Sequence, residues 1–189
     1  MKDRIKKFIT DSIRMKEKML EENVDIISDV SKIIIDAYKN DKKVIVFGNG
    51  GSAADAQHFV TELVCRFEKE RKSLNAIALT TNSSMLTAIG NDYGFDRVFS
   101  RQVEGLVKEG DIVIGISTSG NSKNVILAIE QAKKQKALTV AWTGKTGGKL
   151  KNIVDYCICI PSENTARIQE GHVLLIHIIC SIVEEELFK

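Results

Sequence analysis

His58 and Glu62 stand four residues apart in the run VIVFGNGGSAADAQHFVTELVC, Val44 to Cys65. Four residues is slightly more than one helical turn, so on a helix the imidazole and the carboxylate leave the same face. That pairing is suited to proton transfer near neutral pH. The stretch before it, Gly48-Asn49-Gly50-Gly51-Ser52, reads as a tight turn at the mouth of the helix. Free backbone N–H groups and the helix dipole favour an anion there. One segment thus offers an anion cradle and a carboxylate–imidazole pair, which points to an enzyme acting on a phosphorylated small molecule.

A second loop of similar character follows the apolar run Ile112–Ile116: Ser117-Thr118-Ser119-Gly120-Asn121-Ser122, then the helical KNVILAIEQAKK. A helix cap at Asn121 or Ser122 would need one such residue. Here four hydroxyls and an asparagine crowd one turn, which favours phosphate binding at the helix N-terminus. No Gly-Lys-Ser/Thr follows, so nucleotide hydrolysis is not implied, and GNGGS lacks the spacing of a dinucleotide fingerprint. A third segment, ARIQEGHVLLIH, carries Gln169, His172 and His177. Gln169 and His177 are eight residues apart, about 2.2 turns, and face nearly the same way. His172 is assigned a separate task. A histidine on so apolar a helix is usually a core residue; the pair His58 and Glu62 elsewhere makes His177 a candidate partner.

These residues need a scaffold that gathers three distant segments. From residue 43 onward strands and helices alternate. The strands are expected at Lys43–Phe47, Asn75–Ala78, Asp111–Ile116, Ala137–Thr143 and Tyr156–Ile160. Helices are expected at Ala53–Phe67, Ser83–Ile89, Asp96–Val107, Ser122–Lys134 and Gly148–Asn152, with a last one from about Ala166 to Leu187. A strand such as IVIGI is apolar without alternation, as a sheet covered on both faces requires. The pattern predicts a three-layer αβα sandwich with a mostly parallel five-stranded sheet, whose ligands bind beyond the carboxyl ends of the strands. Residues 3–40 carry two helical stripes (Ile5, Phe8, Ile9, Ile13, Met19, Leu20, then Val24, Ile27, Val30, Ile34, Tyr38), with Asn23 and Asp25 as cap candidates. One proline, Pro161, and no linker-like stretch predict a single domain over 1–189. Residues 1–40 form a helical extension packed on it or on a partner subunit.

With 189 residues, 43% hydrophobic and 28% charged, the chain has an ordinary globular composition. A net charge of +2 gives no reason to expect nucleic acid or an anionic membrane as a partner. The cluster Lys69-Glu70-Arg71-Lys72 reads as a solvated turn. Cys65, Cys157, Cys159 and Cys180 lack metal-finger spacing. Cys157 and Cys159 alternate with isoleucine, so on a strand they face one way, as buried thiols suited to a reducing cytosol. No signal segment and no apolar stretch near the ~18 residues of a membrane span is apparent, so the expected location is cytoplasmic.

In this order, FGNGGSAADAQHF, AIGNDYGF, GISTSGNS, TGKTGG and ARIQEGH resemble the sugar isomerase (SIS) domain of bacterial phosphoheptose isomerases over essentially the whole chain. The resemblance implies conversion of sedoheptulose 7-phosphate to a glycero-manno-heptose 7-phosphate for surface polysaccharide, by a homotetramer with active sites at subunit boundaries. Position by position it implies Glu62 and His177 as the acid–base pair. It implies His58, Glu62, Gln169 and His177 as ligands of one zinc ion. Substrate contacts are implied at Asn49, Gly50, Gly51, Ser52, Glu62, Asn91, Asp92, Ser117, Thr118, Ser119, Ser122 and Gln169, with Arg66 close by. Some relatives carry an acid where Ala166 stands, so that group is absent here or replaced, for instance by Thr165. No nucleotide cofactor is implied.

Two other classes share parts of these motifs. One is a non-catalytic SIS protein that binds the replication initiator DnaA; the retention of both Glu62 and His177 argues against it. The other is a SIS sensor of a sugar-phosphate regulator, and residues 1–40 contain no helix-turn-helix or basic recognition helix.

Overall fold

A computed structural model describes residues 1–189. The elements are α1 (Lys2–Glu22), α2 (Val24–Lys39), β1 (Val44–Gly48), α3 (Gly51–Val64), β2 (Ala76–Ala78), α4 (Ser83–Tyr93), α5 (Ser100–Leu106), β3 (Ile112–Ser117), α6 (Lys123–Lys134), β4 (Leu138–Thr143), β5 (Tyr156–Cys159) and α7 (Thr165–Leu187). Single 3-10 turns lie at Phe95–Arg97 and Leu150–Asn152. The five strands are all parallel, in the order β2-β1-β3-β4-β5.

β1 and β3 are buried at every position. Their side chains split between two cores: Val44, Val46, Ile112 and Ile114 face α2, α3 and α7, while Ile45, Phe47 and Val113 face α5 and α6. This is the three-layer αβα sandwich expected of unbroken apolar strands. From β1 the chain crosses to β2 on one side and then returns to β3 on the other. The loops after β1 and β3 therefore open side by side at the sheet's switch point, where doubly wound folds bind their ligands.

Several boundaries differ from the sequence reading. Gly90 does not end α4; the backbone turns only at Gly94, where φ is +84°. The helix expected over Asp96–Val107 breaks into a 3-10 turn and α5, and between them Val98 and Phe99 turn into the core. α3 stops at Val64 rather than Phe67, because the backbone N–H groups that would extend it are bound elsewhere (below). Asn23 makes no side-chain cap; its Nδ2 donates to the carbonyl of Cys159 at 3.2 Å and ties the α1–α2 joint to β5. Cys157 and Cys159 do face one way, with Sγ atoms 3.6 Å apart, but on the edge strand they are half-buried, not buried. α7 is long and apolar enough by composition to cross a membrane, contrary to the expectation of no such stretch. Here it packs against α1, α2 and α3, with Ile168, Leu175, Ile176, Ile179 and Val183 in the core.

The loop after β3 is locked by the one after β4. Gly120 has φ +66°, and a Cβ there would lie 2.1 Å from the carbonyl oxygen of Gly147. Its own carbonyl accepts from Leu150, and Asn121 Oδ1 accepts from the N–H of Lys149. Gly120→Ala combines positive φ with a backbone clash, so chemical denaturation should show a loss of about 1–3 kcal/mol. A stability equal to that of the parent would contradict this packing.

Candidate active site

α3 begins at Gly51 behind Gly50, whose φ of +57° only glycine adopts freely. About one, two and three turns along it, Asp55, His58 and Glu62 project toward α7. His58 Nε2 and Glu62 Oε1 are 3.0 Å apart, as the four-residue spacing requires. From α7, His177 brings its ring to 5.2 Å from that of His58, edge to face. The ligating atoms of His58, Glu62 and His177 lie within 4.8 Å of one another, and all three side chains are half-buried. Gln169 lies two turns before His177, with its amide folded over Gly51; a Cβ on that glycine would fall 2.1 Å from Gln169 Nε2. The absence of a side chain at Gly51 leaves the space that the Gln169 amide occupies.

Two imidazoles and a carboxylate that converge from two helices form a donor set suited to zinc. His58, Glu62 and His177 fit such an ion, while the amide of Gln169, the fourth expected ligand, lies over Gly51.

The adjoining loop supplies hydroxyls. Ser117 Oγ lies 2.9 Å from Ser122 Oγ and 3.5 Å from Ser119 Oγ. Neither Ser122 nor Asn121 caps α6: Ser122 turns to Ser117, and Asn121 donates to the Ser119 carbonyl. The N-terminus of α6 is thus left without a side-chain acceptor, as an anion site requires. Thr118 is half-buried, and its carbonyl accepts from Gly144. Asn49 and Asn124 exchange two amide hydrogen bonds of 2.9 Å and rivet the β1 loop to α6. Ser52 is buried in the first turn of α3.

Other expected residues lie apart. Asn91 and Asp92 hydrogen-bond to each other on the exposed end of α4. Arg66 is exposed and lies 3.6 Å from Glu70. Ala166 and Thr165 are exposed in the first turn of α7, where Asn164 caps the helix.

Two sets of residues escaped the sequence reading. The first contradicts the solvated turn expected at residues 69–72: the Arg71 side chain is 2% exposed and pairs with Glu184 of α7 at 2.9 Å. It also donates to the carbonyls of Glu62 and Leu63, at 2.8 and 2.7 Å, and so caps the C-terminus of α3. Glu184 accepts from the backbone N–H groups of Phe67, Glu68 and Lys69, which is why α3 cannot continue. Burial opposes its charge, but these donors and Arg71 outweigh it and hold the carboxyl below the usual range. Nothing in the sequence marked it, because Glu184 opens the run Glu184-Glu185-Glu186 at the charged end of α7.

The second is Asp55, whose partner is the His172 that the sequence had set apart from Gln169 and His177. His172 is fully buried, its Nε2 3.4 Å from the Thr143 carbonyl, and its unpartnered Nδ1 faces the unpartnered Oδ2 of Asp55 at 3.9 Å.

Against this geometry, a model of the SIS domain matches residues 7–144. A phosphoheptose isomerase of Clostridium acetobutylicum is 51% identical over 100% of the chain and 97% of its own. The chain belongs to the SIS-domain family of phosphoheptose isomerases. In this family, the enzyme from Citrifermentans bemidjiense is 60% identical over 82% of the chain and 81% of its own length. The solved structure of phosphoheptose isomerase GmhA from Neisseria gonorrhoeae superposes with a TM-score of 0.93 at 43% identity, covering 97% of this chain and 98% of that one. The SIS-family protein described here is accordingly an isomerase, and its substrate class is the sugar phosphates.

The buried pair makes a pH signature. Burial pushes Asp55 up to about 6, against the pull of His58, and pushes His172 down to about 4, against its contact with Thr143. Folded Asp55 binds its proton more tightly than an unfolded Asp (about 3.9), so its contribution to stability falls as pH rises from about 4 to 6. Folded His172 binds a proton less tightly than an unfolded His (about 6.5), so its contribution falls as pH drops from about 6.5 to 4. In the parent the two slopes oppose each other. Asp55→Asn should therefore lose on the order of 3 kcal/mol on acidification through this window, and His172→Gln should gain a similar amount. Denaturation midpoints across the window check this; slopes of the same sign in both variants would contradict it.

Proposed function

We propose that the protein converts sedoheptulose 7-phosphate to D-glycero-D-manno-heptose 7-phosphate through an enediol, in heptose synthesis for surface polysaccharide. The observation that carries this reading is the meeting of Glu62 and His177 from two different helices, in a chain whose β3 loop and α6 N-terminus offer a hydroxyl-rich place for an anion. A ketose–aldose shift needs a base for the proton on C1, a group to move a proton between the two oxygens, and return of a proton to C2. Glu62 takes the C1 proton and returns it to C2. His177 carries the proton between O1 and O2, as an imidazole can near neutral pH. Ser117, Thr118, Ser119, Ser122 and the first N–H groups of α6 hold the 7-phosphate. Asn49, Gly50, Gly51, Ser52 and Gln169 line the sugar chain. When bound by His58, Glu62, Gln169 and His177, zinc would supply Lewis-acid polarisation of the carbonyl.

The reading predicts turnover of sedoheptulose 7-phosphate, followed by NMR of the product, and little turnover of unphosphorylated sedoheptulose. Glu62→Gln and His177→Gln should each cost at least ~100-fold in kcat, with folding retained. Near-parent turnover in either variant would remove its assigned role. A folded parent protein with no turnover would favour the initiator-binding class.

Zinc carries its own test. Elemental analysis should find about one zinc per chain, and chelation should lower activity that added zinc restores. Full activity in metal-free protein would leave the acid–base roles standing without the ion.

We further propose a homotetramer with sites completed across subunit boundaries. Ile5, Phe8, Ile9 and Ile13 form a stripe on α1, each more than half exposed, which a partner would cover. Exposed Asn91, Asp92 and Arg66 are free to serve a neighbouring subunit's site. Light scattering should give a mass near four times 21.0 kDa, and dilution to monomer should abolish activity. A fully active monomer would overturn the shared site.

A further inference from the structure

His177 does not stand free at the mouth of the site. The Phe67 ring lies flat against it, with centroids 5.7 Å apart and planes 22° from parallel, while His58 meets it edge-on from another side. Two neighbours of such different orientation leave the imidazole little room to rotate. Phe67 comes from the segment after α3, whose neighbours Cys65, Arg66, Glu68 and Lys69 are all exposed. Glu184 ties the backbone of that run to α7. Its Oε2 accepts from the Phe67 N–H at 3.1 Å and its Oε1 accepts from Glu68 and Lys69. Glu184 is seven residues beyond His177 on α7, within about 20° of two full turns, so clamp and imidazole share one face of one helix. Arg71 closes the arrangement: it pairs with Glu184 and binds the carbonyl of Glu62.

We propose that Phe67 is a positioning residue for His177, and that the buried Arg71–Glu184 pair sets it in place by clamping the segment after α3 onto α7. The pair joins three pieces that must agree: the α3 turn bearing Glu62, the segment bearing Phe67, and α7 bearing His177. This rests on His177 having the catalytic role assigned above. An imidazole that moves a proton between two oxygens must keep its ring plane aligned with both, and a flat aromatic neighbour enforces that plane where an aliphatic one does not.

The test exploits the presence of only three histidines in the chain. In full-length protein labelled at histidine, the His177 ring signal is assigned by its loss in His177→Gln. Phe67→Leu, which keeps apolar bulk without a ring, should move the His177 signal by removing the ring current. It should lower kcat roughly 10-fold while KM stays within about 2-fold. Phe67→Tyr should restore the signal and most of the turnover. Arg71→Lys, which keeps the charge without the fork of donors, should move the His177 signal in the same direction as Phe67→Leu. The proposal is overturned if Phe67→Leu leaves kcat unchanged, or lowers the melting temperature without moving the His177 signal. If His177→Gln itself retains full turnover, the acid–base reading falls instead, and the NMR comparison still decides whether Phe67 holds the ring.

Discussion

The adjacency of β1 and β3 is the constraint on which the site depends. The two strands pair in parallel over Val44–Gly48 and Ile112–Ile116, buried on both faces, and a one-residue slip would turn each core side chain into the wrong layer. With that register fixed, the β1 loop and the β3 loop emerge at the same level, and the N-termini of α3 and α6 converge. The reciprocal amides of Asn49 and Asn124 then hold the loops together. At Gly48 a Cβ would lie 2.8 Å from the Ile116 carbonyl, so the end of β1 can approach β3 only as glycine. The anion cradle is in this sense a consequence of sheet order more than of any one serine.

A second level of order comes from burying charge. The Arg71 and Glu184 side chains are 2% and 3% exposed. Removing such ions from water costs several kcal/mol each, and only dense hydrogen bonding offsets it. Glu184 meets that demand with three backbone N–H groups and the guanidinium; Arg71 meets it with Glu184 and carbonyls at the end of α3. The pair contributes geometry more than net stability: it stops α3, folds the next segment back onto α7, and lays Phe67 against His177.

Asp55 and His172 lie one layer deeper. Their unpartnered atoms face each other between α3 and α7, below the convergent His58, Glu62 and His177. A lone ionised carboxylate is costly there, which is why Asp55 holds its proton up to about 6 while His172 stays neutral down to about 4. At neutral pH the floor of the site therefore carries the Asp55 charge beside a neutral His172.

The sequence by itself determined whatever depends on local spacing and side-chain type. The four-residue spacing of His58 and Glu62 placed them on one helical face. The unbroken apolar strands required helices on both sides of the sheet. The density of hydroxyls after β3 marked an anion loop, and the ordered motifs carried the family. Tertiary structure decided what depends on long-range partners. Gly90 and Gly94 look alike as letters, and only packing made the second the end of α4. Arg71 in a run of charged residues reads as solvated until Glu184, 113 positions away, provides the partner that makes its burial possible. The stacking of Phe67 on His177 has no local signature, because 110 residues separate them. Spacing along the chain fixes directions within one element, whereas burial of a charge or a ring is fixed by what another element brings to meet it.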